Sequence, residues 1–398
     1  MIELAPRPED DAFDDFNRGK MMRRKNPKKN VEILGIFLLV GFIIIVGTEG
    51  RIADRYPDRA IQDVKLSDVK LFTYLIQDVD TESNMQELRQ SHYDMYILEP
   101  CVTEKGNRDF MISSLIDDIR YYNQTNYLKD PIILAYVDIG QAEDWRWYWK
   151  NRWEPGRPEW IVTVDPDDWE GCYPVAYWDP EWENIVIYGS NGMSHLQAAL
   201  QNGFDGIYMD WVEGFCDETV IEKAEEDGIN DPAAAMFDFI EKIRHFARVE
   251  SPFADSEFLV VAQNASDLYR ENPARYESLI DAVSLEGIWY DGTGGFDDWN
   301  DPTGYNIPTN SIYPGWTEEV LGYLNAMKGR LPIFCVEYAQ DLGEQSIATE
   351  VYTSLAPAHG FIAYCTRRSL AQLSKTPIPP GYDEIIPTKG SKKGSVRR

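Results

Sequence analysis

Eight short apolar runs with strand character recur along one uninterrupted stretch of this chain: VKLFTYLI at residues 69–76, MYIL before Glu99, PIILAYVDIG, GFDGIYMD, FLVVAQNAS, AVSLEGIWY, LPIFCVEYA and GFIAYCTR. Their near-continuous apolar character is that of strands buried on both faces, and segments of helical period stand between several of them. DFMISSLIDDIRYYN repeats apolar residues at Phe110, Ile112, Leu115, Ile116 and Ile119. Asp231 before Pro232 is a helix start for PAAAMFDFIEKIRHFA, which puts Met236, Ile240, Ile243 and Ala247 on one face. Buried strands separated by helices require a parallel sheet. Eight such units without an internal linker predict a single-domain α/β protein, a (β/α)8 barrel of the TIM type. The alternative is a doubly wound open sheet, but no G-x-G-x-x-G follows the first run. A further helix is expected over residues 182–201, whereas residues 145–179, rich in aromatics and proline, are too irregular for one element.

In a parallel barrel the carboxyl ends of all strands meet on one face, so polar residues that follow each apolar run converge there. Two lone carboxylates, Asp210 after the fourth run and Glu286 after the sixth, are the expected catalytic pair. Tyr136, Asp138, Glu143, Trp178, Gln263, Asn264, Tyr290, Glu337 and Tyr338 are the expected substrate-binding set. Acids and amides flanked by tyrosine and tryptophan suit sugars, because rings stack on C–H faces while acids and amides bond hydroxyls or an amine. Glu337 is the main rival acid. Asp210 has a plainer reading as a turn cap, and Asp138 and Glu143 as groups that orient others, with Arg146 as the candidate partner. Ser-His and Cys-His mechanisms are disfavoured: there is no G-x-S-x-G elbow, and His92, His195, His245 and His359 stand away from the strand ends. No H-E-x-x-H or clustered-Asp motif is present, so no metal site and no cofactor are expected.

Lys and Arg total 38 against 67 Asp and Glu, a net charge of −29, and many of the bases sit near the two ends. So acidic a surface repels phosphate backbones, which argues against nucleic acid and for a neutral or cationic ligand. Cys101, Cys172, Cys216, Cys335 and Cys365 show no C-x-x-C spacing. The uncharged run ILGIFLLVGFIIIVG comes after Arg18, Lys20, Arg23, Arg24, Lys25, Lys28 and Lys29, a pattern that keeps the basic segment in the cytoplasm and exports the residues beyond the run. The expected layout is a cytoplasmic segment over 1–30, a transmembrane signal anchor or cleaved signal peptide over 31–48, a connector over 49–67, the barrel over 68–373 and a flexible tail over 374–398. The protein is then membrane-anchored and extracytoplasmic, or secreted if cleaved.

Seven motifs, AYVDIGQAEDWRWYW, VAYWDPEW, GFDGIYMDW, VVAQNAS, SLEGIWYDG, PIFCVEYAQ and GFIAYCTRRSLAQL, in that order, resemble glycoside hydrolase family 114 and its relatives, the endo-α-1,4-polygalactosaminidases. The resemblance implies a (β/α)8 barrel that hydrolyses galactosamine-containing polymers with a paired Asp and Glu, here Asp210 and Glu286, and a cleft lined by Tyr136, Gln263 and Tyr338. Two departures from the family pattern stand beside the cleft: Asp138 with Gln141 in the third run, and an acidic segment at 213–227 with the character of an insertion. Readings from other classes are a non-catalytic carbohydrate-binding or envelope barrel, and a barrel hydrolase or lyase of different chemistry.

Overall fold

A computed structural model describes residues 60–101, 110–166, 169–189, 193–291, 306–339 and 347–374. The expected cytoplasmic segment and anchor lie outside the described residues, as do most of the connector and nearly all of the tail. Among the described residues no helix is long and apolar enough to cross a membrane.

All eight apolar runs form strands: β1 (Phe72–Leu75), β2 (Met95–Leu98), β3 (Ile132–Asp138), β4 (Gly206–Asp210), β5 (Leu259–Gln263), β6 (Ala282–Glu286), β7 (Ile333–Glu337) and β8 (Ile362–Cys365). They make one eight-stranded sheet in sequential order, with every neighbouring pair parallel. The ends of the sheet, β8 and β1, meet through side chains and a loop rather than a ladder. Phe72 and Tyr364 have ring centroids 5.6 Å apart, Thr73 Oγ1 donates to Tyr364 Oη at 3.2 Å, and the amides of Ile76 and Gln77 both donate to Leu370 O at 3.1 Å. The result is a nearly closed (β/α)8 barrel.

Two hydrophobic cores follow from the two-residue repeat of a strand. Phe72, Tyr74, Met95, Ile97, Leu134, Tyr136, Tyr208, Val261, Phe334, Val336 and Tyr364 fill the barrel interior. Their alternates, among them Leu75, Leu98, Val137, Met209, Ala262, Leu285, Cys335 and Cys365, pack outward against the helices. The principal helices between strands are α1 (Glu82–Arg89), α2 (Ile112–Tyr127), α3 (His195–Gln201), α4 (Glu218–Glu226), α5 (Pro232–His245), α6 (Pro273–Leu279) and α7 (Trp316–Met327). Asp231 caps α5 as its sequence foretells, its side chain accepting from the Ala234 amide at 2.9 Å.

The helix expected over residues 182–201 is broken. A turn at Pro180–Glu183 widens into a π-turn over Asn184–Tyr188 and stops at Gly189. Gly189 has φ +76°, and a Cβ there would stand 2.8 Å from the Met193 backbone, so glycine is required where the first segment ends; Ser194 caps the restart at α3. The described part of residues 145–179 is irregular apart from Cys172–Pro174, which pairs antiparallel with Gln141–Glu143 just after β3. The acidic segment after β4 is a 3₁₀ turn, Val212–Cys216, followed by α4. All five cysteines are free thiols.

Candidate functional site

The alternation that builds the interior also selects which strand-end side chains share it. Tyr136 and Tyr208 point inward, so Asp138 and Asp210, two residues further and paired in register, do so too. Gln263, Glu286 and Tyr338 share the inward parity of β5, β6 and β7.

Asp210 is held from two sides. Tyr136 Oη donates to Oδ2 at 2.5 Å, and the Trp211 amide donates to Oδ1 at 2.7 Å. Trp211 is in the left-handed region at φ +55°. A Cβ on Gly140 would stand 2.2 Å from the Trp211 carbonyl, so glycine there lets this tight turn seat against β3. Burial pushes the Asp210 carboxyl above the usual aspartate range, opposed by the two hydrogen bonds. Glu286 has a different setting. Tyr338 Oη donates to Oε2 at 2.8 Å, Oε1 is buried without a partner, and burial together with the charge of Asp210 pushes the carboxyl up to about 8.

Asn264, at φ +53°, joins the two halves of the site. Its Oδ1 accepts the Glu286 amide at 3.1 Å, and its Nδ2 donates to Glu213 Oε1 at 3.3 Å. Glu213, three residues beyond Asp210 in the same turn, is absent from the sequence-derived set because the acidic segment reads there as an insertion. The D-W-V-E spacing was the available signal. Its Oε2 is buried without a partner, and burial, then the charge of Asp210, pushes its carboxyl up to about 8. Gln263 is buried and accepts from Tyr74 Oη at 3.4 Å. Asp138 caps the turn after β3, its Oδ1 accepting from the Gly140 and Gln141 amides at 3.1 and 2.7 Å. Burial and Asp210 raise its carboxyl well above the usual range.

The other expected residues are elsewhere. Glu337 has the parity of Cys335 and faces outward. It is fully buried and accepts from the amides of Ile288, Trp289 and Tyr290 at 3.1, 3.0 and 2.8 Å. Both oxygens of Glu337, expected as a cleft residue and rival acid, thus accept from the loop after β6, and burial pushes its carboxyl up to about 8. Glu143 is likewise buried and accepts from Arg146 through both oxygens. Trp178 lies toward the rim, its indole donating to Asp227 Oδ2 at 3.1 Å. Tyr290 points its hydroxyl toward Glu350, 3.5 Å away. Among the described residues no group of His, Cys, Asp and Glu has the arrangement to hold a metal ion.

A family profile described as glycoside-hydrolase family GH114 matches residues 124–381, which include β3 to β8 and every site residue above. The chain belongs to glycoside hydrolase family 114. It is 29% identical over 292 residues to an uncharacterized protein of Methanocaldococcus jannaschii, covering 68% of this chain and 75% of that one. It is 30% identical over 241 residues to an uncharacterized protein of Deinococcus radiodurans, covering 61% and 66%. Its fold is similar to that of the glycoside hydrolase domain of PelA from Pseudomonas aeruginosa, with a TM-score of 0.50 and 14% identity over 76% of this chain and 96% of that one.

Two predictions for this family 114 hydrolase arise from the site. Tyr338 stabilises the charged form of Glu286, so Tyr338→Phe raises the Glu286 pKa. The basic limb of the pH–rate profile then moves to higher pH, by about 0.5 to 1 unit, a shift that kcat/KM measured across pH 6–10 would reveal. Glu213→Gln keeps an oxygen for Asn264 and is expected to leave kcat within about threefold. Glu213→Ala frees Asn264 and is expected to lower kcat about tenfold with KM little changed, as steady-state kinetics of the two variants would show.

Proposed function

We propose that the enzyme hydrolyses a galactosamine-containing polysaccharide, with Asp210 as the nucleophilic or charge-stabilising carboxylate and Glu286 as the proton donor. The observation that carries this reading is the unequal setting of the two acids. Asp210 receives two hydrogen bonds that favour its ionised form. Glu286 receives one, lies half-buried beside that charge, and is pushed up to about 8, so at neutral pH it holds the proton a leaving oxygen needs. Environments that drive two carboxyl pKa values apart are how one site supplies both an acid and an anion. Tyr136, Asp138, Gln263, Asn264 and Tyr338 line the same pocket in this reading. Glu337 and Glu143 support it from behind.

Family membership supports a galactosamine polymer as substrate, and the net charge of −29 suits one that is partly de-N-acetylated and therefore cationic. The basic segment and the apolar run beyond it support a reaction outside the cytoplasm, on a membrane anchor at residues 31–48. Reducing ends released from galactosamine, N-acetylgalactosamine and other hexose polymers test the substrate. Cleavage of a galactosamine polymer, weakening between 20 and 500 mM salt, is expected as screening shortens the reach of exposed charges to a few ångströms. Cleavage of another hexose polymer alone would overturn the substrate assignment.

A further inference from the structure

Trp169 belongs to the long irregular excursion between β3 and β4, yet its indole reaches the residues that follow β8. The guanidinium carbon of Arg368, just after β8, lies 5.5 Å from the centre of the Trp169 ring and 5.7 Å from that of Tyr338. Tyr338 is the residue bonded to Glu286, so Trp169, Arg368, Tyr338 and Glu286 form a continuous path from the surface to the acid. Arg368 is fixed in turn by Asp291, with Nη1 2.9 Å from Oδ1.

The indole is 49% exposed, but its backbone is firmly seated. The Trp169 amide donates to Asp165 Oδ1 at 2.9 Å, and buried Asp165 accepts from Gln141 Nε2 at 2.6 Å. A large apolar ring that is half open to solvent and built on a buried polar support is preorganised for a ligand rather than for the core. The ring already has one cation over it, and that guanidinium repels a second, so an ammonium-bearing sugar is disfavoured there.

We propose that Trp169, backed by Arg368, is a stacking subsite for an uncharged, N-acylated hexosamine unit of the polymer, contiguous with the unit cleaved at Glu286. The proposal rests on the glycosidase reading above. It deepens that reading by assigning the acids to an amine-bearing unit and the tryptophan to an acylated one.

The test uses the full chain with Asp210→Asn, so that ligand is not consumed. It is titrated with an N-acetylgalactosamine hexamer and with the fully de-N-acetylated hexamer, following tryptophan fluorescence and calorimetric Kd. The acetylated hexamer is expected to bind with a change in emission, and adding Trp169→Ala is expected to raise its Kd at least tenfold. Trp169→Phe, which keeps an aromatic face, is expected to raise it by less and guards against a folding defect. The Kd of the de-N-acetylated hexamer should move by less than threefold with Trp169→Ala. An unchanged Kd for the acetylated hexamer in Trp169→Ala, an equal loss for both hexamers, or no binding of the acetylated hexamer by the parent would overturn the subsite. Failure of the glycosidase reading is separately visible, because the Asp210-containing chain would then release no reducing ends.

Discussion

Asp210→Asn and Glu286→Gln are each expected to lower kcat on the polymer by at least about a thousandfold while leaving the fold intact. Asn keeps an oxygen for only one of the Tyr136 and Trp211 donors, its amide nitrogen replacing the other acceptor, and it cannot carry the charge that meets a developing oxocarbenium centre. Gln cannot give a proton to the leaving oxygen, and a positioned general acid is worth about 10²–10⁴ in rate. The two losses are less than additive in the double variant, because both groups serve one transition state. Glu286→Gln also has an expected gain in stability. A carboxyl raised to about 8 in the folded state binds its proton more tightly folded than unfolded, so it costs stability as pH rises from its unfolded value near 4.3 through 8. At pH 8 the Gln variant is expected to be more stable by several kcal/mol, about 1.4 for each unit by which the carboxyl is raised, and at pH 4 about equal to the parent. Steady-state kinetics and denaturant unfolding at the two pH values check both parts.

Arg146→Met is expected to be the most destabilising single change at a polar residue behind the site, by about 3 to 5 kcal/mol, measured as a fall in the denaturant midpoint. Arg146 lies buried between two buried acids. Its Nη1 and Nη2 meet the oxygens of Glu99 at 2.7 and 2.9 Å, and its Nε and Nη2 meet those of Glu143 at 2.5 and 2.9 Å. Methionine fills the volume but strands two carboxylates away from water. Without the guanidinium that holds it down, the Glu143 carboxyl rises further, so the deficit grows as pH rises from the unfolded glutamate value near 4.3 toward the raised folded value and shrinks below about pH 4. The network ties the end of β2 to the hairpin after β3, so activity is also expected to fall.

The positions of all eight strands, and of Asp210 and Glu286 at their ends, were legible because a strand buried on both faces announces itself as a run of apolar residues. The same property hides which face each residue takes. In IFCVEY nothing distinguishes the inward Tyr338 from the outward Glu337, since both neighbours of each are buried, and only the register of β7 against β6 and β8 settles it. Glu143 is ambiguous in sequence for a related reason: Glu99, which shares its arginine, is 44 residues away, and an ion network of that span leaves no local pattern. The break at Gly189 follows from a backbone approach to Met193 that composition only hints at. Glu213 and Trp169 acquire meaning from contacts with Asn264 and Arg368, which follow other strands, β5 and β8, and become neighbours only in the folded barrel.

The most direct test compares Glu286 with its rival acid Glu337. The full chain carrying Glu286→Gln and the full chain carrying Glu337→Gln, each shown folded by circular dichroism, are assayed for reducing ends released from a partly de-N-acetylated galactosamine polymer at about pH 6.5, where a general acid raised to about 8 still holds its proton. The expected result is at least a thousandfold loss for Glu286→Gln and less than a tenfold loss for Glu337→Gln, whose amide oxygen still accepts from the Trp289 and Tyr290 amides. The reverse order, or substantial activity remaining in Glu286→Gln, would contradict Glu286 as the proton donor and with it the assignment of this pair as the catalytic acids.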